Sequence, residues 1–386
     1  MRTSERLRGT GARNVVRRAV VLAALAALPV SGAPIDDWIP AAPGYEWSFP
    51  RDHWAHREYR NEWWYFTGHL AGADDPGRRF GFQFTVFRVG VETDGRRLDS
   101  EWDADNLWMG HASITDKTGG HHRFSEVLHR EVPFLAAFGA WPDPRIAWAR
   151  GPAGTDAEWT LRWNGDGFDL SMRDTAQGIG LELGTRPLRP PVFQGPGGLS
   201  RKSDAPGAAS LYYTFTRLET TGTLTLDGEP IEVRGTTWMD MEVSSNQLTG
   251  DQVGWDWFGL RFDDGRDLML YELRRGDGSV DYGKGTLVDA AGRLRYLDRD
   301  DWKLRVTHRW TSPDTGTTYP ARWAVSVPGE EVEFVIEPDL EAQENRSRAG
   351  LSYWEGAVTL RDATGRPVGE GYVELTGYGE DNRPPI

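Results

Sequence analysis

The amino-acid sequence predicts an all-β protein built as two antiparallel β-barrel domains side by side. From about residue 60 onward, short segments alternate apolar and polar residues, which is typical of strands buried on one face. Asp-Gly pairs separate several of these segments, and such pairs favour tight hairpins. An aromatic motif near the start of the chain also recurs in its second half. Together these features predict an antiparallel barrel or sandwich in each half.

The beginning of the chain predicts a cleaved signal peptide over residues 1–33. Arginines dominate residues 1–18, an apolar run follows over residues 19–28, and small residues at 31–33 suit a cleavage site. The run is shorter than the ~20 residues that a membrane-spanning helix needs. The arginine pair at 17–18 leaves both the Sec and the twin-arginine route open. We therefore expect a periplasmic protein without stable membrane insertion.

Individual strands follow from the alternation. Phe80, Phe82, Phe84 and Val86 share one face of a strand over 80–87. The same pattern predicts strands over residues 213–218, 222–226, 231–235, 289–297, 319–327, 332–337, 352–360 and 371–378. Hairpin turns are predicted at the Asp-Gly pairs 94–95, 227–228, 264–265 and 277–278. Residues 125–140 alone have a helical pattern, with Ser125 as a possible cap.

The repeated motif sets the predicted domain boundaries. Trp63-Trp-Tyr-Phe66 leads through a loop into an alternating strand that ends in arginine, and so does Trp255-Asp-Trp-Phe258. A duplication explains this recurrence. We therefore predict domains over 36–243 and 244–386, with the Pro- and Gly-rich stretch 186–207 as a long loop of the first domain.

Composition excludes several classes of function. The net charge is −14, whereas nucleic-acid-binding proteins need a basic surface. The chain has no cysteine, so disulfides, iron–sulfur clusters and thiol catalysis are excluded. Its eight histidines lack a tight metal-ligand spacing, and no phosphate loop or dinucleotide motif occurs. We expect neither a metal ion nor another cofactor. The 18 tryptophans fit either large aromatic cores or a ring-walled cavity.

Acidic residues among these tryptophans are the candidates for chemistry. Asp240 and Glu242 share one strand face with Trp238, and Asp256 faces away from its two tryptophan neighbours. Burial among rings raises the pKa of a carboxyl group, which suits a general acid, and aromatic faces stabilise a carbocation. Asp240, Glu242 and Asp256 are therefore the candidate catalytic residues. The alternative is that the acids hold barrel rims together while the tryptophans fill cores.

The order of these clusters resembles the family of carotenoid 1,2-hydratases (hydroxyneurosporene synthases) and the related AttH-like proteins. The matching stretches are 61–70, 111–116, 212–213, 238–242, 254–258, 353–356 and 371–378. The resemblance implies two lipocalin-like β-barrel domains that hold a long apolar molecule. It names as candidate ligand-binding residues Glu62, Trp63, Tyr65, His111, Tyr213, Trp238, Trp255, Trp257, Trp354, Glu355 and Tyr378.

Three functions follow from this resemblance. The first is a periplasmic carrier of an isoprenoid or lipid-like molecule, accessory to an ABC-type exporter. The second is a hydratase that protonates an isoprenoid C=C bond with a carboxylic acid and adds water. The third is a purely structural subunit of an export complex. An apolar small-molecule ligand is the partner that the first two share.

Overall fold

The structure is a computed structural model that describes residues 38–91, 100–348, 350–379 and 383–384. Within these ranges the regular structure consists of strands and four short 3₁₀ helices, without any α-helix. The predicted signal peptide and the predicted turn at residues 94–95 lie outside the described residues. No helix in the described part of the chain is long and apolar enough to cross a membrane.

The first sheet has thirteen strands. They are β1 (Asn61–Gly72), β2 (Arg79–Gly90), β3 (Asn106–Asp116), β4 (His121–Arg130), β5 (Ala136–Phe138), β6 (Arg145–Arg150), β7 (Glu158–Trp163), β8 (Phe168–Asp174), β9 (Ile179–Pro187), β10 (Val192–Phe193), β11 (Leu199–Arg201), β12 (Ala209–Leu226) and β13 (Glu229–Asn246). Two 3₁₀ helices, Arg51–His53 and Pro196–Gly198, accompany this half of the chain.

The second sheet has ten strands. They are β14 (Gln252–Phe262), β15 (Asp267–Arg275), β16 (Val280–Val288), β17 (Leu294–Asp298), β18 (Lys303–Thr311), β19 (Thr318–Val327), β20 (Val332–Pro338), β21 (Glu344–Arg346), β22 (Ser352–Arg361) and β23 (Pro367–Leu375). The other two 3₁₀ helices are Arg299–Asp301 and Pro328–Glu330.

Both curled antiparallel sheets use the same order of strands. In each, four consecutive strands form a meander, and the first of them also pairs with the last strand of the sheet. The first sheet accordingly runs β4-β3-β2-β1-β13-β12-β9, and the second runs β17-β16-β15-β14-β23-β22-β20. The two copies of the aromatic motif occupy β1 and β14, which are equivalent positions in this order. The all-β, two-barrel fold class predicted from the sequence is confirmed.

Each sheet folds its inward face around an apolar core. Phe80, Phe82, Phe84 and Val86 on β2 are all completely buried in the first core, as their alternation predicts. A separate cluster fills the second sheet, with Trp323 at 0 % exposure among its members. Burying rings on this scale is a large part of what stabilises both barrels.

The segment predicted as a helix is instead part of the first sheet. Residues 121–130 form β4 and pair with β3 along their whole length, and residues 136–138 form β5. Ser125 and Val127 are buried while Leu128 is exposed, which is the alternation of a strand. Pairing with β3 overrides the weak local helical pattern.

Several predicted strand segments merge into longer elements. Predicted strands 213–218 and 222–226 both belong to β12, and its pairing with β13 shifts register between Phe215 and Leu218, within the first of them. Asp227 and Gly228 form the two-residue turn to β13, and both have positive φ, as a type I′ turn requires. The predicted strand over 289–297 begins only at Leu294, because the carboxylate of Asp289 accepts the backbone N–H groups of a preceding turn.

Candidate functional site

The described residues form a cavity between the outer faces of the two sheets. Its volume is about 110 Å³. Most of its lining side chains come from strand faces that point away from both inner cores, and the others come from the adjoining loops. The apolar and aromatic lining residues are Trp63, Tyr65, Phe87, Val89, Met109, Tyr212, Leu248, Trp255, Trp257, Tyr271, Leu273, Leu351 and Tyr353.

The two aromatic motifs face each other across this cavity. On β1, Trp64 packs into the first core, whereas Trp63 and Tyr65 line the cavity, because successive strand residues point to opposite faces. On β14, Trp255 and Trp257 line the cavity in the same way. The rings of Tyr65 and Trp257 meet edge to face, with centroids 5.2 Å apart. Both sheets therefore build the wall with equivalent strands.

Asp240 lies directly opposite Tyr65 in the β1–β13 register and lines the cavity. One carboxyl oxygen accepts hydrogen bonds from the Thr214 hydroxyl at 2.5 Å and Trp238 Nε1 at 2.9 Å, and the other accepts the Tyr212 hydroxyl at 2.8 Å. Burial raises the pKa of Asp240 to about 7, although these three donors act to lower it. This carboxyl group can therefore hold a proton near neutral pH.

Glu374 is the counterpart of Asp240 in the second sheet. It lies opposite Trp257 in the β14–β23 register, as Asp240 lies opposite Tyr65 in the first sheet. Trp255 donates its indole N–H to the Glu374 carboxyl group at 2.9 Å. Burial raises the pKa of Glu374 to about 7, and the residue lines the cavity. The cavity thus contains two equivalent carboxyl groups, one from each sheet.

Glu355 forms a second layer behind this wall. It neighbours Glu374 across the β22–β23 pair, is completely buried, and accepts the hydroxyl of Tyr65 from the other sheet. Its second oxygen has no hydrogen-bond partner among the described residues. Burial, together with the nearby Glu374, raises the pKa of Glu355 well above its usual value. Burial therefore favours the neutral form of Glu355 over the ionised one.

Glu242 differs from these acids because it has a cation beside it. Lys202, in the segment after β11, places its ammonium group 2.6 Å from Oε1 of Glu242. Ser210 and Gln247 also donate to the same oxygen. Both Lys202 and Glu242 line the cavity. The pair places one positive and one negative charge side by side in a wall that is mainly aromatic.

Two further predicted residues lie at the cavity edge with mainly structural contacts. Glu62 is completely buried between His56 Nδ1 at 2.7 Å and Arg88 Nε at 3.0 Å. Burial alone acts to raise the pKa of Glu62, but these two neighbours lower it. His111 contacts the Tyr353 hydroxyl through Nδ1 at 2.8 Å, and burial lowers its pKa to about 3. In the described residues, no group of three or more acids and histidines is arranged to hold a metal ion.

Four predicted site residues lie away from the cavity. Tyr213 and Trp354 are buried in the first and second core. Asp256 points to the inner side of the second sheet, where Arg274 Nε lies 2.7 Å from it and Tyr378 donates its hydroxyl to it. Tyr213, Trp354 and Asp256 each lie one residue out of phase with the cavity-facing side chains of their strands, and Tyr378 lies beyond the end of β23. The ion pair and core contacts give all four a structural role.

The cavity also contains residues that the sequence analysis did not select. Tyr212 lines the cavity in place of Tyr213, which the sequence analysis had selected. Glu374 is an additional acidic residue of the cavity. The repeated motif contains a signal for Glu374, because the residue opposite the second aromatic motif is equivalent to Asp240. For Lys202 no signal existed, since it lies in the stretch predicted as a loop.

The fold and the cavity together define a lipocalin-type protein with two β-barrels and a ligand-sized hollow between them. Residues 40–378 match the sequence model of the AttH-like family, and the chain belongs to this family. This result confirms the AttH-like part of the resemblance, while membership among the carotenoid 1,2-hydratases stays a prediction. No curated protein matches the chain.

Two solved structures resemble the whole described chain. A protein of Nitrosomonas europaea assigned as AttH is 32% identical, with a TM-score of 0.76, and the match covers 88% of this chain and 100% of that one. Kievitone hydratase of Nectria haematococca is 13% identical with a TM-score of 0.64, over 86% of this chain and 93% of that one. The second likeness concerns the fold alone.

Proposed function

We propose that the protein binds one end of a long apolar molecule, isoprenoid or lipid-like, in the cavity between its two sheets. The observation that carries the proposal is the aromatic wall that both sheets build around a small hollow. A cavity of about 150 Å³ is known to hold benzene. The 110 Å³ here therefore suits a single ring or the branched end of an isoprenoid chain. The remainder of a longer ligand extends out of the cavity.

The same proposal includes a location and a partner. The basic start of the chain and the apolar run over 19–28 support export to the periplasm. A periplasmic binding protein of this kind serves an ABC-type exporter by receiving or presenting an apolar molecule. Fractionation of cells and co-purification with the exporter test these two points separately from binding.

Mass spectrometry of molecules that co-purify with the protein tests the binding. We expect an isoprenoid or lipid to be released from the purified wild-type protein and to be absent from Leu248→Trp, which fills the cavity. Leu294→Trp is the matched control, because Leu294 is 40% exposed and far from this wall. A wild-type protein that carries no such molecule and binds no apolar probe contradicts the proposal.

Acid-catalysed hydration is the second candidate function, and the carboxyl groups of Asp240 and Glu374 favour it. Burial raises the pKa of both to about 7, so either can be protonated near neutral pH. The carboxyl proton would be transferred to the less substituted carbon of a terminal C=C bond, leaving a tertiary carbocation beside the aromatic wall. Water adds to the cation and returns one proton to the carboxylate.

Incubation with lycopene or neurosporene tests the hydration. We expect a hydroxylated product from the wild-type protein and at least a tenfold lower rate in Asp240→Asn or Glu374→Gln. The exposed Glu333→Gln is the control. Absence of product from the wild-type protein contradicts hydration of these substrates and leaves the binding proposal in place.

A further inference from the structure

The ion pair of Lys202 and Glu242 is unusual because it lies in an apolar cavity wall. Lys202 is only 6% exposed, and its ammonium group lies over the rings of Tyr271 and Tyr212, 4.5 and 5.3 Å from their centroids. Burying a charged pair is costly unless it is well bonded. The pair is not part of either barrel core, because both residues line the cavity.

Each partner has one bonding position left on the cavity side. Lys202 Nζ contacts Glu242 Oε1 at 2.6 Å and Ser200 Oγ at 3.2 Å, which uses two of its three hydrogens. On Glu242, the bonds from Lys202, Ser210 and Gln247 all go to Oε1. Among the described contacts, Oε2 of Glu242 accepts none. A free donor and a free acceptor therefore lie side by side.

The other cation at the cavity is Arg88, whose described contacts use four of its five N–H donors. Arg88 is completely buried and bonds Glu62 through Nε, Asn106 through Nη1, and the backbone carbonyls of His56 and Tyr59 through Nη2. These contacts hold the loop before β1 against the sheet. Lys202 is therefore the cation that remains available to a ligand.

We propose that the Lys202–Glu242 pair recognises a neutral hydroxyl group next to the apolar end of the ligand. The inference rests on the proposed binding function and narrows its ligand class to hydroxylated molecules. The ligand oxygen accepts a hydrogen bond from Lys202 Nζ while its own hydrogen is donated to Glu242 Oε2. Hydrogen bonds to charged groups are the stronger ones. A ligand carboxylate is disfavoured, because the Glu242 carboxylate repels it.

Three single-ring probes test the proposal: toluene, p-cresol and p-toluate, whose binding is measured by calorimetry near pH 7. We expect p-cresol to bind the wild-type protein about tenfold more tightly than toluene. We expect p-toluate to bind more weakly than p-cresol. Equal affinities for toluene and p-cresol overturn this inference but leave the apolar cavity in place. Failure of all three probes to bind overturns the proposed binding function itself.

Variants of the pair separate recognition from folding. Glu242→Gln keeps the side-chain shape and loses the charge, so we expect the p-cresol to toluene preference to fall to about twofold while toluene binding is retained. Lys202→Met is the second variant and should have the same effect. The exposed Lys303→Met and Glu333→Gln are matched controls and should keep the wild-type preference. A folded Glu242→Gln protein with an unchanged preference contradicts the proposal.

Discussion

At Asp240, a buried position and three hydrogen-bond donors act on one carboxyl group in opposite directions. Burial dominates and raises the pKa from 3.8 to about 7. If the group is protonated, its own hydrogen has to be donated to one of its present neighbours. The Tyr212 hydroxyl can accept it only in competition with the indole N–H of Trp257, which already donates to that oxygen. Protonation of Asp240 on the oxygen that faces Tyr212 therefore requires the hydrogen bond between the two residues to be rearranged.

The raised pKa of Asp240 predicts a specific pH dependence of stability. Because the pKa is higher in the folded than in the unfolded state, ionisation of Asp240 destabilises the folded protein as the pH rises from about 4 to about 7. Asp240→Asn removes this contribution, which is on the order of 4 kcal/mol over that range. Denaturant unfolding at several pH values should show a flatter profile for the variant.

The exposed Asp300→Asn is the control for that measurement and should follow the wild-type profile. An Asp240→Asn protein whose stability changes with pH as steeply as that of the wild type contradicts the raised pKa of Asp240.

Tyr212 and Tyr213 are neighbours in sequence with opposite environments. Tyr212 faces the cavity, and Tyr213 lies in the first core with its hydroxyl 2.6 Å from His53 Nδ1. Tyr213→Phe should lower the free energy of unfolding by about 1 kcal/mol and leave p-cresol affinity unchanged. Tyr212→Phe removes a hydrogen-bond donor to Asp240, so it should raise the pKa of that carboxyl group and weaken p-cresol binding. Calorimetric titration of both variants with p-cresol distinguishes them. Equal losses of affinity would contradict the placement of Tyr212 in the cavity and Tyr213 in the core.

Among the elements, β12 and β13 form the longest hairpin, and glycines decide where it can bend. Gly222 and Gly228 both have positive φ, but their surroundings differ. A Cβ on Gly222 would lie 2.1 Å from the carbonyl oxygen of Glu182 on β9, whereas a Cβ on Gly228 would meet nothing within 4 Å. The first glycine is required by close strand contact, and the second by the turn conformation alone.

This difference predicts unequal costs for two similar substitutions. Gly228→Ala should lower the free energy of unfolding by about 1 kcal/mol, which is the strain of a positive φ. Gly222→Ala adds a steric clash with β9 and should cost roughly 3 kcal/mol. Urea unfolding of both variants checks the ranking. Equal losses of unfolding free energy for the two variants would contradict the prediction, because they would mean that β9 moves away from the added methyl group.

The sequence predicts which strand residues face the core where only one face of the strand is apolar. Where both faces are buried, the sequence does not show which residue faces which side. The phenylalanines of β2 were assigned correctly because polar residues mark the other face. On β12, Tyr212 and Tyr213 are both aromatic and both buried, so composition does not say which one faces the cavity. Lys202 reaches the site through chain packing after β11, and no local pattern encodes that.

At the scale of the whole molecule, charged residues of the first half hold the second sheet in place. Asp267 on β15 is completely buried and accepts hydrogen bonds from Arg217 Nε at 2.8 Å and Arg189 Nη1 at 2.9 Å. His69 on β1 bonds the backbone carbonyl of Gly371 on β23 at 2.7 Å. These contacts, with the aromatic cluster around the cavity, join both sheets into one compact unit.

Asp267→Ala tests the importance of this junction. The substitution leaves two arginines without their shared carboxylate, and we expect a loss of about 3 kcal/mol, limited because both arginines are partly exposed. Asp264→Ala on the exposed turn nearby should change stability by less than about 0.5 kcal/mol. Thermal unfolding followed by calorimetry measures both variants. Similar melting temperatures for the two would contradict a role for Asp267 at the junction.

Because both sheets supply the cavity wall, the half of the wall that is synthesised first stays exposed until the second sheet has been made. The strands up to residue 246 leave the ribosome first, and until residues 252–375 follow, the outward aromatic side chains of β1 and β13 have no partner. Exposed rings of this kind favour aggregation of nascent proteins. A chaperone that binds the incomplete chain would therefore cover the same surface that later lines the cavity.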